Sequence, residues 1–221
     1  MKQLILSLIM LALVLQSCSE STNSSNSGTP AADNNILPLK VGNEWHYQDI
    51  LIADNETITG ESRNVVTRIQ DVEIENKLYK AFAIVEYNTN NEAVYQKFIS
   101  RTSVGIYNFA SENDPFNLKY RNLTIKYPSW TNERWDAINH NFTNLSHRFS
   151  HDTCSVICLG TKEDIKVPAG DFRCSKYQYE FKNNSKIIEW WAVGAGLVRY
   201  EYYDDKGEII RKRELKRLII E

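Results

Sequence analysis

From Trp45 onward the chain alternates apolar and polar residues with a period of two. Trp45, Tyr47, Asp49 and Leu51 fall on one face, and His46, Gln48, Ile50 and Ile52 on the other. Successive side chains of a strand point to opposite sides of a sheet, so this period predicts strands rather than helices. Arg63, Val65, Thr67 and Ile69 continue the habit. Phe82 and Ile84 oppose Ala81, Ala83 and Val85, and Tyr95, Lys97, Ile99 and Arg101 oppose Val94, Gln96, Phe98 and Ser100. The runs are short, rich in β-branched and aromatic residues, and bounded by Asn, Gly and Asp. Glu75-Asn76-Lys77, Asn88 to Asn91 and Asp204 to Gly207 read as hairpin turns. The stretch 129–148 is the least periodic and leaves room for a short helical piece. The prediction is an all-β fold, an antiparallel meander.

The pattern also repeats. Pro38 stands seven residues before Trp45, and Pro128 seven before Trp135, with Asn43-Glu44 and Asn132-Glu133 ahead of each Trp. Val85-Glu86-Tyr87 with Asn90-Asn91 matches Tyr179-Glu180-Phe181 with Asn183-Asn184, and Gly105-Ile106-Tyr107 matches Gly196-Leu197-Val198. These offsets predict two diverged halves of roughly 90 residues, 36–126 and 127–221. Together the halves make a curved sheet, an open barrel or a sandwich; the sequence leaves the closure open. Bulky apolar strand centres suggest that any ligand room comes from curvature rather than from a polar channel.

Ahead of this body, Leu4 to Leu15 is apolar except for Ser7 and follows Met1-Lys2. A helix needs ~20 apolar residues to span a bilayer, so the run is read as the core of an export signal. Leu15-Gln16-Ser17-Cys18 comes next and resembles a bacterial lipobox. The resemblance implies a lipoprotein signal peptide at 1–17 and a diacylated Cys18 as the mature N-terminus. It further implies attachment to the membrane through the acyl chains. Ser19, rather than Asp, follows the Cys; by resemblance to Gram-negative sorting this implies the outer membrane, with the leaflet unread. Residues 18–35 are the lipidated Cys and a Ser/Asn/Thr-rich tether, whose typical reach at ~5–6 Å × √n is ~20–25 Å. The β domain is 36–221.

Composition narrows the classes. Hydrophobic residues make up 42% of the 221, with 5 Trp, 12 Tyr and 8 Phe, which excludes wholesale disorder. A formal net charge of -2 argues against a dedicated nucleic-acid binder. Loss of Lys2 with the signal makes the mature chain slightly more acidic.

Leu37-Pro38-Leu39-Lys40-Val41-Gly42-Asn43, with Trp45 and Tyr47, is one motif. Val167-Pro168-Ala169-Gly170 with Phe172 is a second, and Trp190 with Gly194, Gly196, Leu197 and Val198 is a third. In this order they resemble exported lipoproteins of unknown function common in Bacteroidota. The resemblance implies a β-rich envelope domain and supplies no activity, cofactor or catalytic residue.

Candidate chemistry is sparse. Gly194-x-Gly196 precedes an alternating strand, not the helix that a phosphate loop needs. His140, His147, His151 and Asp152 have the residue types of a transition-metal site. On a strand, however, His147 and His151 stand ~13 Å apart, and the predicted state is a solvated loop with no metal. Cys154, Cys158 and Cys174 remain after lipidation. Pairing Val167 with Phe172 across the turn sets Cys174 opposite Ile165, away from Cys158, so small buried thiols are expected. Arg211, Lys212, Arg213, Lys216 and Arg217 crowd the last strand and read as a charged sheet edge or a face toward anionic headgroups. Trp45, Tyr47, Trp190, Trp191, Tyr200 and Tyr202 are the candidate ligand-binding residues, as a groove or as sheet core. Of the adjacent pair Trp190 and Trp191, one is expected in the core and the other as a surface anchor.

The expected function is therefore a lipid-anchored cell-envelope protein that binds or assembles without catalysis. Its partners would be an envelope protein, a glycan or an apolar ligand, with no nucleic acid and no cofactor. The alternatives are a carrier or chaperone for an apolar ligand, and a hydrolase with an unrecognised site.

Overall fold

Strands form where bulky residues recur at every second position, because one face can then be buried whole. The computed structural model describes residues 35–53, 56–110, 120–142 and 149–221. The first half of the described chain holds β1 (Glu44–Ala53), β2 (Glu56–Ile74), β3 (Lys77–Tyr87), β4 (Ala93–Arg101), β5 (Gly105–Ala110) and β6 (Tyr120–Lys126). The second holds β7 (Arg134–Phe142), β8 (Phe149–Val167), β9 (Gly170–Glu180), β10 (Lys186–Ala192), β11 (Gly196–Tyr203) and β12 (Ile209–Ile219). No helix occurs among the described residues, and β7 takes much of the stretch that left room for one.

The twelve strands make one antiparallel sheet in the order β6-β5-β4-β3-β2-β1-β12-β11-β10-β9-β8-β7. Two six-strand meanders are thus joined where β1 lies against β12. The sheet curls into a nearly closed barrel, which settles the closure against a sandwich. Its end strands β6 and β7 are consecutive in the chain, and β9 ties down the end of β6 and the connection after it. Tyr177 donates its hydroxyl hydrogen bond to the carbonyl of Lys126 at 3.1 Å and lies 3.1 Å from the Ser129 hydroxyl. All described residues belong to one unit, Asn34–Glu221; the signal and nearly all of the tether lie outside the described residues.

The predicted turns are present. Glu75 and Asn76 adopt φ of 51° and 58°, the pair of positive values that a two-residue hairpin with right-handed strand twist requires. The inward face is apolar toward the end where the described chain begins. Trp45, Val66, Ile99, Ile125, Val198 and Leu215 are buried there, each contributing about 1.5–3 kcal/mol or more of transfer free energy. Ile36 and Leu37 close that end from outside the strands. The outward parity of β4 and β5 gives a second small cluster around Phe98 and Phe109.

Three sequence expectations are corrected. Val167 pairs with Gly170, not Phe172, because Pro168-Ala169 alone make the turn; Cys174 then opposes Glu163, and Cys158 opposes Tyr177. β12 is no edge strand: it is hydrogen-bonded on both sides, to β1 and to β11. Its basic residues are matched by neighbouring carboxylates, as in Lys212 with Glu214 and Lys216 with Glu61. Finally, the barrel interior is not wholly apolar, because several charged side chains turn into it.

Candidate functional site

Register carries charge inward on adjacent strands. Asp49 of β1 pairs with Arg213 of β12, Arg213 with Tyr200 of β11, and Tyr200 with Glu189 of β10. Across the barrel, β4 turns Tyr95, Lys97 and Ile99 inward. Between these walls lies a cavity of about 180 Å³ that opens to solvent. Leu37, Trp45, Ile99, Ile106 and Ile125 form its apolar part. Asn64, Lys97, Asn108, Thr124 and Glu189 add polar groups, and Tyr47, Tyr95, Trp191 and Tyr200 contribute rings.

Arg213 is the electrostatic anchor. Its Nε donates to Asp49 Oδ1 at 2.7 Å and its Nη2 to Glu86 Oε1 at 2.6 Å, while the guanidinium stands 5.2 Å from the Tyr47 ring centre. Ser62 donates to the other Asp49 oxygen at 2.5 Å. Burial alone would raise both carboxyl pKa values. The Arg213 charge and its hydrogen bonds outweigh burial and hold Asp49 and Glu86 below their ordinary range. The same two carboxylates overcome the burial of Arg213 and raise its pKa.

Lys97 and Glu189 are placed differently. Burial lowers the Lys97 pKa, against the pull of Glu86 and Glu189. Burial raises the Glu189 pKa. Trp191 Nε1 and Tyr179 Oη each donate to its Oε2 at 2.8 Å and oppose that rise without cancelling it. Burial thus draws both Lys97 and Glu189 toward their neutral forms, in contrast to the charged Asp49–Arg213–Glu86 group. Asn64 Oδ1 and Thr124 Oγ1 are buried with no hydrogen-bond partner among the described residues. Lone buried acceptors of this kind cost about 1–3 kcal/mol each. The site is therefore preformed, polar and incompletely satisfied.

Of the six aromatic candidates, Trp45, Tyr47, Trp191 and Tyr200 line the cavity. Trp45 is also pinned by its Nε1 hydrogen bond to the Ala195 carbonyl at 2.6 Å. Tyr202 packs against the core outside the cavity lining. Trp190 is buried on the other parity, where its Nε1 donates to Glu163 at 3.0 Å and Lys176 lies over its ring. Neither Trp190 nor Trp191 is a surface anchor, because one is covered by charged side chains and the other turns into the barrel.

Cys154, Cys158 and Cys174 are buried and outside any disulfide, and burial pushes Cys174 up to about 12. A thiol of that kind is a packing group rather than a nucleophile. The backbones of His140 and His151 face each other across β7 and β8, and His147 lies outside the described residues. Lys97, Glu189, Asp49 and Glu86 were not among the candidates, and Arg213 was read only as part of a charged last strand. The available signal was parity: Asp49 shares a face with Trp45 and Tyr47, and Lys97 with Ile99.

Known proteins resemble this chain chiefly in fold. A DUF3108-like family model matches residues 110–215. The fold is similar to that of a protein from Bacteroides fragilis described as exported and YmcC-like in fold. That match has 15% identity and a TM-score of 0.51, and covers 83% of this chain and 98% of that one. It is also similar to a protein described as a lipoprotein from Parabacteroides distasonis, with 14% identity, a TM-score of 0.50 and coverage of 84% and 98%. No curated protein matches the sequence. At these identities the structural similarity concerns the fold alone, a nearly closed antiparallel barrel.

Proposed function

We propose that this chain is a lipid-anchored envelope protein whose barrel interior binds one small polar ligand without transforming it. The lipobox-like sequence at Cys18 and the similarity to an exported protein and to a lipoprotein support the envelope location. The outer membrane, inferred from Ser19, is part of the same reading. The observation that carries the binding role is the cavity lined by the Lys97 amine and by an Asn64 carbonyl that has no donor among the described residues. A ligand that accepts from one and donates to the other, with an apolar edge toward Trp45 and Ile99, completes what the fold leaves unsatisfied. The volume of about 180 Å³ equals roughly six waters at ~30 Å³ each. Sites for larger ligands run to ~300–1,000 Å³. Size and charge together favour a ring-sized polar molecule over an acyl chain, which would set methylenes against Lys97.

The test is native mass spectrometry of protein purified from its own envelope. The expected result is a small-molecule adduct on the wild type that is absent from Lys97→Met, with no loss of thermal stability in the variant. Equal spectra for the two proteins would sink the reading. Acyl labelling that survives Cys18→Ala would sink the anchor separately.

We also infer that the two meanders are copies of one ancestral unit. Trp45 and Trp135 are each the second residue of their meander's first strand. Gly42 and Asn43 bracket Val66 with backbone hydrogen bonds of 2.9 and 3.0 Å, and Asn132 and Glu133 bracket Cys158 with bonds of 2.7 and 2.9 Å. Asn91 and Asn184 close equivalent turns at φ of 61° and 63°.

A further inference from the structure

We propose that the barrel end carrying Asn35 rests on the bilayer, with the indole of Trp130 and the turn residues around it seated among the lipid headgroups. The proposal builds on the lipid-anchor reading and adds an orientation for the folded body.

Backbone contacts gather a set of tips at this end. Gly194 N donates to Asn35 O at 2.7 Å, which ties the start of the described chain to the β10–β11 turn. Arg101 Nη1 reaches Leu37 O at 3.3 Å, bringing in the β4–β5 turn. Tyr127 N donates to Val104 O at 2.9 Å, adding the β6–β7 connection, and Glu221 N donates to Asn43 Oδ1 at 2.9 Å. Each of these tips exposes an apolar side chain: Val41, Val104, Trp130, Val193 and Ile220. Trp130 is 69% exposed, whereas Trp45 and Trp190 are buried and Trp135 and Trp191 are half-buried. Single exposed hydrophobes need no explanation. A ring of them on turns at one end, including a Trp, has the character of a membrane-interface contact. Lys40 and Arg101 are exposed at the same end with no carboxylate partner among the described residues, and Glu221, against Asn43, is exposed there too.

The opposite end also exposes apolar residues, Leu51, Ile52, Ile58 and Val94, so tether length decides between the two. Ten-residue β1 at ~3.3 Å per residue is ~30 Å long. The segment between Cys18 and Asn35 typically reaches ~20–25 Å. Presenting the Leu51 end would use that reach entirely, whereas presenting the Asn35 end uses almost none of it.

The experiment is tryptophan quenching of the acylated, full mature protein in vesicles of phosphatidylethanolamine and phosphatidylglycerol containing brominated acyl chains. Wild-type fluorescence should be quenched, and Trp130→Phe should remove most of that quenching. Adding Leu51→Trp to Trp130→Phe should not restore it. Quenching restored by Leu51→Trp, or quenching that survives Trp130→Phe unchanged, overturns the proposal. Absence of quenching in protein that floats with the vesicles overturns the docking while leaving the anchor intact. Failure to float removes both.

Discussion

Arg213 holds two carboxylates inside the barrel, and removing it alone strands both. Breaking a buried pair from one side costs about 3–5 kcal/mol, because the remaining charge stays desolvated. Arg213→Met should therefore lower stability by about that amount in denaturant titration. The triple variant Arg213→Met, Asp49→Asn, Glu86→Gln should recover most of the loss. A triple variant no more stable than the single would mean that the charges matter for packing rather than for mutual neutralisation. The pH dependence has a definite sign. Asp49 and Glu86 have folded-state pKa values below their unfolded values, so their contribution is present above the ordinary carboxylate range and is lost on acidification through the lowered values. Glu189 is raised, so its contribution runs the other way and fades as pH climbs past its ordinary value. Glu189→Gln should flatten the neutral side of the stability profile and leave the acid side unchanged.

At the scale of elements, glycine marks where strands approach too closely for a side chain. A Cβ on Gly105, at φ 152°, would lie 1.9 Å from the Ile125 carbonyl oxygen, a backbone atom that cannot step aside without opening the β5–β6 hairpin. Gly170, at φ 130°, has nothing within 4 Å. Gly170→Ala should cost about 1–2 kcal/mol, the backbone penalty alone, and Gly105→Ala distinctly more by thermal melt. Equal costs would mean that backbone conformation dominates at both sites. The strands and most turns were legible because alternation and Asn/Gly turn residues are local properties. Pairing between β1 and β12 was not, since it joins the first strand to the last and no local pattern encodes it. That hidden pairing turned the basic residues of β12 from an apparent edge into an interior wall. The two-residue slip at Val167 had a similar origin: a two-residue and a four-residue turn both suit Pro-Ala-Gly-Asp, and only the ladder chooses. Trp45, Tyr47, Trp191 and Tyr200 could be nominated as cavity residues from their chemistry. Lys97 and Glu189 needed the curvature that sets β4 opposite β10.

Across the whole molecule, the sheet has one zipped junction and one that is only buttoned. β1 and β12 share a hydrogen-bonded ladder with one bulge after His46, whereas the end of β6 and the connection after it are fastened by Tyr177 of β9, by Ser129 and by the ion pair between Lys126 and Glu133. Hydrogen-bonded ladders open together, but side-chain buttons release singly, so the seam is the place where the barrel yields first. Tyr177→Phe removes the bond to the Lys126 carbonyl while keeping the ring against Trp135, whose centroid is 5.8 Å away. A lost hydrogen bond of this kind is worth about 1 kcal/mol, or roughly a fivefold change in the local opening equilibrium. Amide exchange at Tyr127 and Asn132, which flank the seam and bond away from it to Val104 and Cys158, should quicken by about that factor. Exchange along β1 and β12 should be unaffected. Uniform acceleration in both places would show that the barrel opens as one cooperative body. Acceleration confined to the seam would show that β6 and β7 part before the rest of the barrel opens.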